Sequence, residues 1–317
     1  MTNKEKYRQF CEQNDVPVFM QPWWLEAVCA GKDWDVLLSE NHEKKIRAVM
    51  PFLIRERWHV KYIVMPKQTQ VGGIWVSDDV QDTVEMEAIC TEFKRKIDEM
   101  GLSYYYQQFP IYSPCIPILQ KLGMKTAKRI TYRLDDLSDL DEVIDGFSKN
   151  KKRQLVKAAA LSVDYTMEAE EFYRFHVQCM AEKGRRISYS REFFLVLYLK
   201  AMRQNCGQII CLKNTEQEVV AAAFVVWDKW HLYYLIPCFS QKYKNSGAGA
   251  LLALESIKLA KKMGRSFDFE GSNDRNIANH YQQFGSTPTV YYAVYKYYNP
   301  LFAIALLINR IRNWKVW

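Results

Sequence analysis

The sequence has no Cys-x-x-Cys pair. Its eight cysteines are dispersed, and the nearest two, Cys206 and Cys211, are five residues apart. That spacing excludes the usual zinc frameworks. It suits eight reduced thiols in a cytoplasmic protein better than a disulfide scaffold. No metal is expected. Long apolar runs are missing too: none reaches the ~18 residues that a membrane-spanning helix needs. Thirteen glycines and ten prolines are scattered through 317 residues, so no linker or low-complexity tract stands out. The opening stretch, Met1 to Gln13, is polar and mixed in charge, and it does not read as a secretory signal. Acids are the minority charge. With 36 Asp and Glu against 44 Lys and Arg, the net charge is +8, which favours an anionic partner such as a phosphorylated cofactor, a nucleic acid or a membrane surface. What is present is ample core material: 49% of residues are hydrophobic and 25% charged, a globular profile long enough for two domains.

The chain repeats itself. Trp58 and Trp230, and Tyr62 and Tyr234, are each separated by 172 residues, in the segments Arg57 to Tyr62 and Lys229 to Tyr234. Strand-like runs precede both copies. Further on, Met100-Gly101-Leu102-Ser103 matches Met263-Gly264-Arg265-Ser266, each after a helix-like segment and before a strand. Gly123 and Gly285 then end a short helix in each copy, and a closing strand follows. The recurring order is antiparallel strands, helix, strand, helix, strand. It predicts a tandem duplication with a boundary near 135–141: an N-terminal domain over 1–135, a C-terminal domain over 136–298, and an amphipathic helix over 299–317.

The halves differ where an anion would bind. In the second, Lys244-Asn245-Ser246-Gly247-Ala248-Gly249 follows the strand-like Leu232 to Phe239 and precedes the helix-like Ala250 to Met263. Strand, glycine turn and helix start together offer free backbone amides to a phosphate. In the first half Ser77-Asp78-Asp79 stands before the long helix, and acids oppose phosphate. One working site is therefore expected, in the second half.

This order of elements resembles that of the GNAT acyltransferases. Lys244, Gly247 and Gly249 fit the superfamily's acyl-CoA motif, with lysine in the place of the usual arginine or glutamine. Tyr281 followed by Gly285 matches its tyrosine-to-glycine spacing before the last strand, and Asp274, between Asn273 and Asn276, occupies the register of an upstream asparagine. Ser148-Lys149-Asn150 and the basic helix after it resemble the opening of the second domain in two-domain members. Those include the Fem-type aminoacyl transferases and the acetyltransferases associated with exopolysaccharide and cellulose synthesis. The resemblance implies an α/β fold of the α+β type: two tandem GNAT-like domains with mixed, mostly antiparallel sheets flanked by helices. It also implies acyl transfer to an amine, with acyl-CoA as co-substrate. The favoured acceptor is a cell-envelope or polysaccharide precursor, lipid-linked in one version; a Fem-type ligase fed by aminoacyl-tRNA, and an inactive binding protein, are the alternatives.

Acyl transfer needs a held donor, a polarised carbonyl, a neutral amine and a proton for the leaving group. The turn Lys244, Asn245, Ser246, Gly247, Ala248, Gly249 is expected to hold the pyrophosphate. Pro237 has no N–H, so Cys238 or Ile236 is expected to polarise the thioester. Tyr281 is the candidate acid. Asp268 and Glu270, alternating with Phe267 and Phe269, are candidate catalytic carboxylates, with Glu270 as base. His176, Arg185, Lys149 and Arg153 are candidate contacts to the acceptor or to phosphates. The tail Asn299 to Trp317 carries Leu301, Phe302 and Ile304 ahead of Arg310, Arg312 and Lys315. That pattern suits docking on the N-terminal domain or lying on the inner face of an anionic membrane.

Overall fold

The computed structural model describes residues 1–29, 34–57, 60–271 and 275–304. These fall into two compact units, residues 1–129 with 291–317, and residues 130–290. The repeat anchors Trp58 and His59, the pair Asn273 and Asp274, and most of the tail lie outside the described residues.

The N-terminal unit opens with helices α1 (Asn3–Gln13) and α2 (Pro22–Val28). Strands β1 (Trp34–Glu40), β2 (Ile46–Arg57), β3 (Val60–Val64) and β4 (Trp75–Val76) follow, then α3 (Thr83–Glu99), β5 (Tyr104–Gln108) and α4 (Cys115–Lys121). Asp82 caps α3 by accepting the Glu85 amide, which starts the helix. β3 and β5 run parallel, and β1, β2 and β3 antiparallel. The buried faces of α3 and the sheet share one core around Ile63, Phe93, Tyr105 and Phe109. Two strands straddle the units: β6 (Lys125–Leu134) and β12 (Thr287–Tyr297). β12 pairs with β5 through Ala293 to Tyr297. Phe302, just beyond, lies 5.4 Å from the Tyr62 ring and 5.6 Å from that of Tyr104, while Leu301 and Ile304 are exposed.

The C-terminal unit comprises α5 (Leu140–Asp145), α6 (Lys149–Lys157), β7 (Ser162–Asp164), α7 (Ala169–Ala181), α8 (Arg191–Arg203), β8 (Gly207–Lys213), β9 (Val219–Trp227), β10 (His231–Phe239), α9 (Ala248–Lys262), β11 (Ser266–Asp268) and α10 (Arg275–Gln282). Its strand order is β6-β11-β10-β9-β8-β7. β9 reads Val-Val-Ala-Ala-Ala-Phe-Val-Val-Trp and is buried on both faces, as a strand covered by helices on each side must be. β6 enters this sheet by pairing Arg133 and Leu134 with Asp268 and Phe267. So the strand that closes the first repeat completes the second unit's sheet, and β12, which closes the second repeat, completes the first's. The units part at two places, within β6 and within β12, rather than at one linker. Both repeats show the expected order of strands, helix, strand, helix and strand.

Candidate active site

β10 and β11 lie parallel over only three pairs, His231 with Ser266, Leu232 with Phe267 and Tyr233 with Asp268. Beyond them the strands part. β10 runs on to Phe239 with no strand on its far edge among the described residues, after an extra residue between Tyr233 and Ile236 that shifts its register on β9. Such a bulge turns a strand and re-aims its side chains. The Ser240 amide donates to Val220 O at 3.2 Å, so alternation turns the Cys238 and Ile236 amides towards β9 as well. By the same alternation Phe239 faces the open edge, as does Pro237, which has no amide to give. A proline is tolerated in this strand because its nitrogen faces no partner. The Cys238 and Ile236 amides, expected as donors to the thioester, thus face β9 rather than the open edge. The Cys238 thiol is buried, and it bonds Ala222 O at 3.2 Å.

The turn after β10 starts α9. Glu182, at the end of α7, accepts the Gln241 amide at 2.6 Å and fixes the turn's entry. Gly247 caps α9 with φ +80, a left-handed conformation that glycine adopts freely. The Ser246 amide bonds Tyr243 O and the Ala248 amide bonds Ser246 Oγ, so these two are satisfied within the turn. The amides of Asn245, Gly247 and Gly249 have no partner among the described residues. Gly247 is buried, leaving Asn245 and Gly249 as the accessible donors. Lys244 is exposed and meets no acid among the described residues. Two partnerless accessible amides, a lysine and a helix start fit the phosphate end of an anionic donor.

Past β11 the chain does not keep its alternation. The strand ends at Asp268, and Glu270 takes φ +61, costly for a side chain of this kind by about 1–3 kcal/mol. Asp268 enforces the turn: its Oδ1 accepts the Glu270 amide at 2.7 Å and the Thr131 hydroxyl. Asp268 is thus a buried anchor for Glu270, and the two carboxylates do not share one strand face as period two predicts. Glu270 Oε1 is buried without a hydrogen bond. Burial, and then the charge of Asp268, push its pKa well above the usual carboxylate range. Tyr281, on α10, stacks on Phe269 at 4.7 Å. Burial first, then Glu270 and Asp268, raise its pKa. Its hydroxyl makes no hydrogen bond with another described residue.

The other candidates scatter. His176 is 7% exposed, 2.8 Å from the Tyr189 hydroxyl through Nδ1, and burial lowers its pKa to about 4. It is a neutral ring in an aromatic cluster with Phe172. Arg185 is exposed in the turn after α7; its amide donates to Met180 O, and its guanidinium has no partner among the described residues. Lys149, Arg153 and Lys157 form an exposed stripe along α6, four residues apart, also without acids. α6 reaches the turn: a Cβ on Gly247 would stand 1.9 Å from the Gln154 carbonyl oxygen.

Sequence reasoning missed Lys151. It lies among the basic residues of α6 but is 1% exposed, with Nζ 3.2 Å from His280 Nδ1, 3.4 Å from Gln154 Oε1 and 4.4 Å from the Phe284 ring centre. The signal was available: the 149, 153, 157 stripe leaves 151 on another face. Burial lowers the lysine's pKa to about 8, and burial with the lysine's charge lowers that of His280 to about 4. The shift from 10.5 corresponds to about 3 kcal/mol of lost native stability below pH 8, relieved as pH rises from 8 to 10.5. Lys151→Met is therefore expected to stabilise the protein by about 1–3 kcal/mol at pH 7. That gap to wild type should shrink by pH 10 in urea titrations; a constant gap would mean that the lysine keeps an ordinary pKa and stays charged in the native state throughout this range.

Parallel strands that part at a bulge, a glycine turn and a helix after it are the elements in which the sequence resemblance located the site. Residues 146–283, within the C-terminal unit, match the family model described as the acetyltransferase (GNAT) domain. That region is a GNAT-type acyltransferase domain. Among solved structures, FemX is similar over 93% of this chain and 96% of its own at 10% identity, with a TM-score of 0.71. L-PGS from Bacillus licheniformis is similar over 96% of each chain at 15% identity, TM-score 0.56. A tandem GNAT protein from the clavulanic acid biosynthesis pathway is similar over 90% of this chain and 99% of its own at 10% identity, TM-score 0.51. At these identities the likeness speaks for the tandem fold. No curated protein matches the chain. Among the described residues no group of metal-binding side chains occurs and no helix is long and apolar enough to cross a membrane.

Proposed function

We propose that this protein moves an acyl group from acyl-CoA to an amine on a cell-envelope or polysaccharide precursor, at the cytoplasmic side. The observation that carries the reading is the parting of β10 and β11 beside the accessible Asn245 and Gly249 amides, with Glu270 and Tyr281 where the strands separate. The turn, with Lys244 and Lys157, would hold the donor's phosphates. The open edge of β10 would run beside its pantetheine arm. Glu270, as carboxylate, takes the proton of the attacking amine, and Tyr281 gives one to the departing sulfur.

A second reading is a donor carried on tRNA. It is favoured by the unpaired Lys149, Arg153 and Lys157 stripe, which suits a phosphate backbone, and by the likeness to FemX. One experiment separates the two. At a hundredfold excess over Kd, acetyl-CoA should stabilise the wild type by ~2.7 kcal/mol in a thermal shift. The Gly249→Leu variant should lose that shift, because its Cβ meets only the Phe239 ring, at 3.5 Å, while its side chain crowds the free amide. If no acyl-CoA shifts the folded wild type, the CoA reading falls. Salt-sensitive binding of aminoacyl-tRNA would then be expected.

A further inference from the structure

Resting on that reading, we infer that Tyr234 is a further catalytic residue, whose hydroxyl donates a hydrogen bond to the acyl oxygen of the donor. Tyr234 follows the last parallel pair of β10 and β11 and stands in the bulge. It is 3% exposed, and its hydroxyl is buried without a hydrogen-bond partner. A buried tyrosine ordinarily finds a partner for its O–H, and leaving one unmade is costly. The ring packs edge-on against Phe269, 6.1 Å away, and lies tilted against Phe267, 5.8 Å away. Phe269 stacks on Tyr281 and leads directly into Glu270. Tyr234, Tyr281 and Glu270 thus gather where the strands part, and all three polar groups lack an internal partner among the described residues. Fold stability alone does not account for three such groups at one place.

The backbone supplies the complementary argument. On the open edge of β10 the position facing outward between Ile236 and Cys238 is Pro237, which offers no amide. An acyl oxygen lying along that edge has a gap where a donor is wanted. The Tyr234 hydroxyl, on the bulge three residues before Pro237, is a neutral O–H that burial keeps protonated. As the amine nitrogen forms its bond to the acyl carbon, negative charge gathers on the acyl oxygen, and Tyr234 holds it without releasing its proton. Glu270 accepts the amine's proton, the carbon–sulfur bond breaks, and Tyr281 protonates the sulfur. Atoms and charge balance with no further reactant.

Tyr234→Phe tests this, with acetyl-CoA as donor, hydroxylamine as probe amine and released thiol as readout. The variant removes an unsatisfied hydroxyl and keeps the ring, so its unfolding midpoint should be unchanged or raised by about 2–4 °C. Its thermal shift with free CoA should match wild type, while turnover falls by about 100-fold. Two results overturn the role of Tyr234 alone. One is a midpoint lowered by more than about 4 °C, which would show the hydroxyl serving the fold. The other is wild-type turnover in the variant. A wild type that neither binds nor consumes acetyl-CoA overturns the donor reading and this inference with it, and that is seen before any variant is made.

Discussion

Gly247→Ala is expected to destabilise the C-terminal unit by about 2–5 kcal/mol, an outsized effect for one methyl group. Two costs add. The residue holds φ +80, where an L side chain is strained by about 1–2 kcal/mol. The new Cβ would also stand 1.9 Å from the Gln154 carbonyl oxygen and 2.8 Å from its carbon. Those atoms belong to helical backbone, which cannot swing aside as a side-chain tip can, and overpacking of this sort costs about 1–3 kcal/mol more. Urea unfolding followed by far-UV circular dichroism measures the loss. A variant within about 0.5 kcal/mol of wild type would mean that α6 does not press on the turn. The same contact bars any large residue at 247 as a probe of donor binding, since lost binding and a displaced α6 would look alike. Gly249 is free of that confusion.

The succession of elements was legible because each repeat spells it in periodicity and glycine punctuation: the anchors at Met100 and Met263, and at Gly123 and Gly285, do close equivalent helices. Which strand completes which sheet was not. β6 and β12 have the same place in their repeats, and pairing is settled by neighbours that local pattern does not encode. Pro237 shows a signal that was present and half used. A proline inside an apolar strand announces an edge without a partner, yet the amides on that edge follow only once the register against β9 is known.

Side-chain fate was legible in proportion to its locality. The turn from Lys244 to Gly249 depends on residues beside one another, and it lies where a strand meets a helix, as read. Its partition into satisfied and free amides depends on the Ser246 hydroxyl folding back, which composition does not show. Lys151 and His176 owe their burial to helices that dock from elsewhere in the chain, α10 for the first and α8's approach for the second. Period two placed Asp268 and Glu270 on one face, and it failed because Asp268 binds the amide two residues on and turns the chain out of the strand.

That turn makes Glu270→Gln the most informative substitution. Turnover of acetyl-CoA with an amine should fall by about 10²–10⁴-fold, because glutamine cannot take the amine's proton. Stability should move the other way. In the native state burial raises the Glu270 pKa well above 4.5, so the folded protein holds this proton at pH values where the unfolded chain has released it. The native state then binds more protons than the unfolded one, and wild-type stability falls as pH rises from about 4.5 towards the raised value. Glutamine has no proton to lose, so the variant should lack this slope: close to wild type near pH 4.5, and increasingly more stable than wild type as pH climbs. Wild-type turnover should rise over the same interval as Glu270 ionises, while the variant's stays low and flat. Parallel urea titrations and rates from pH 5 to 9 read both. A variant with wild-type turnover would remove Glu270 from the chemistry. Loss of turnover with unchanged pH dependence of stability would mean that Glu270 ionises as an ordinary carboxylate in the native state, despite its burial and the charge of Asp268.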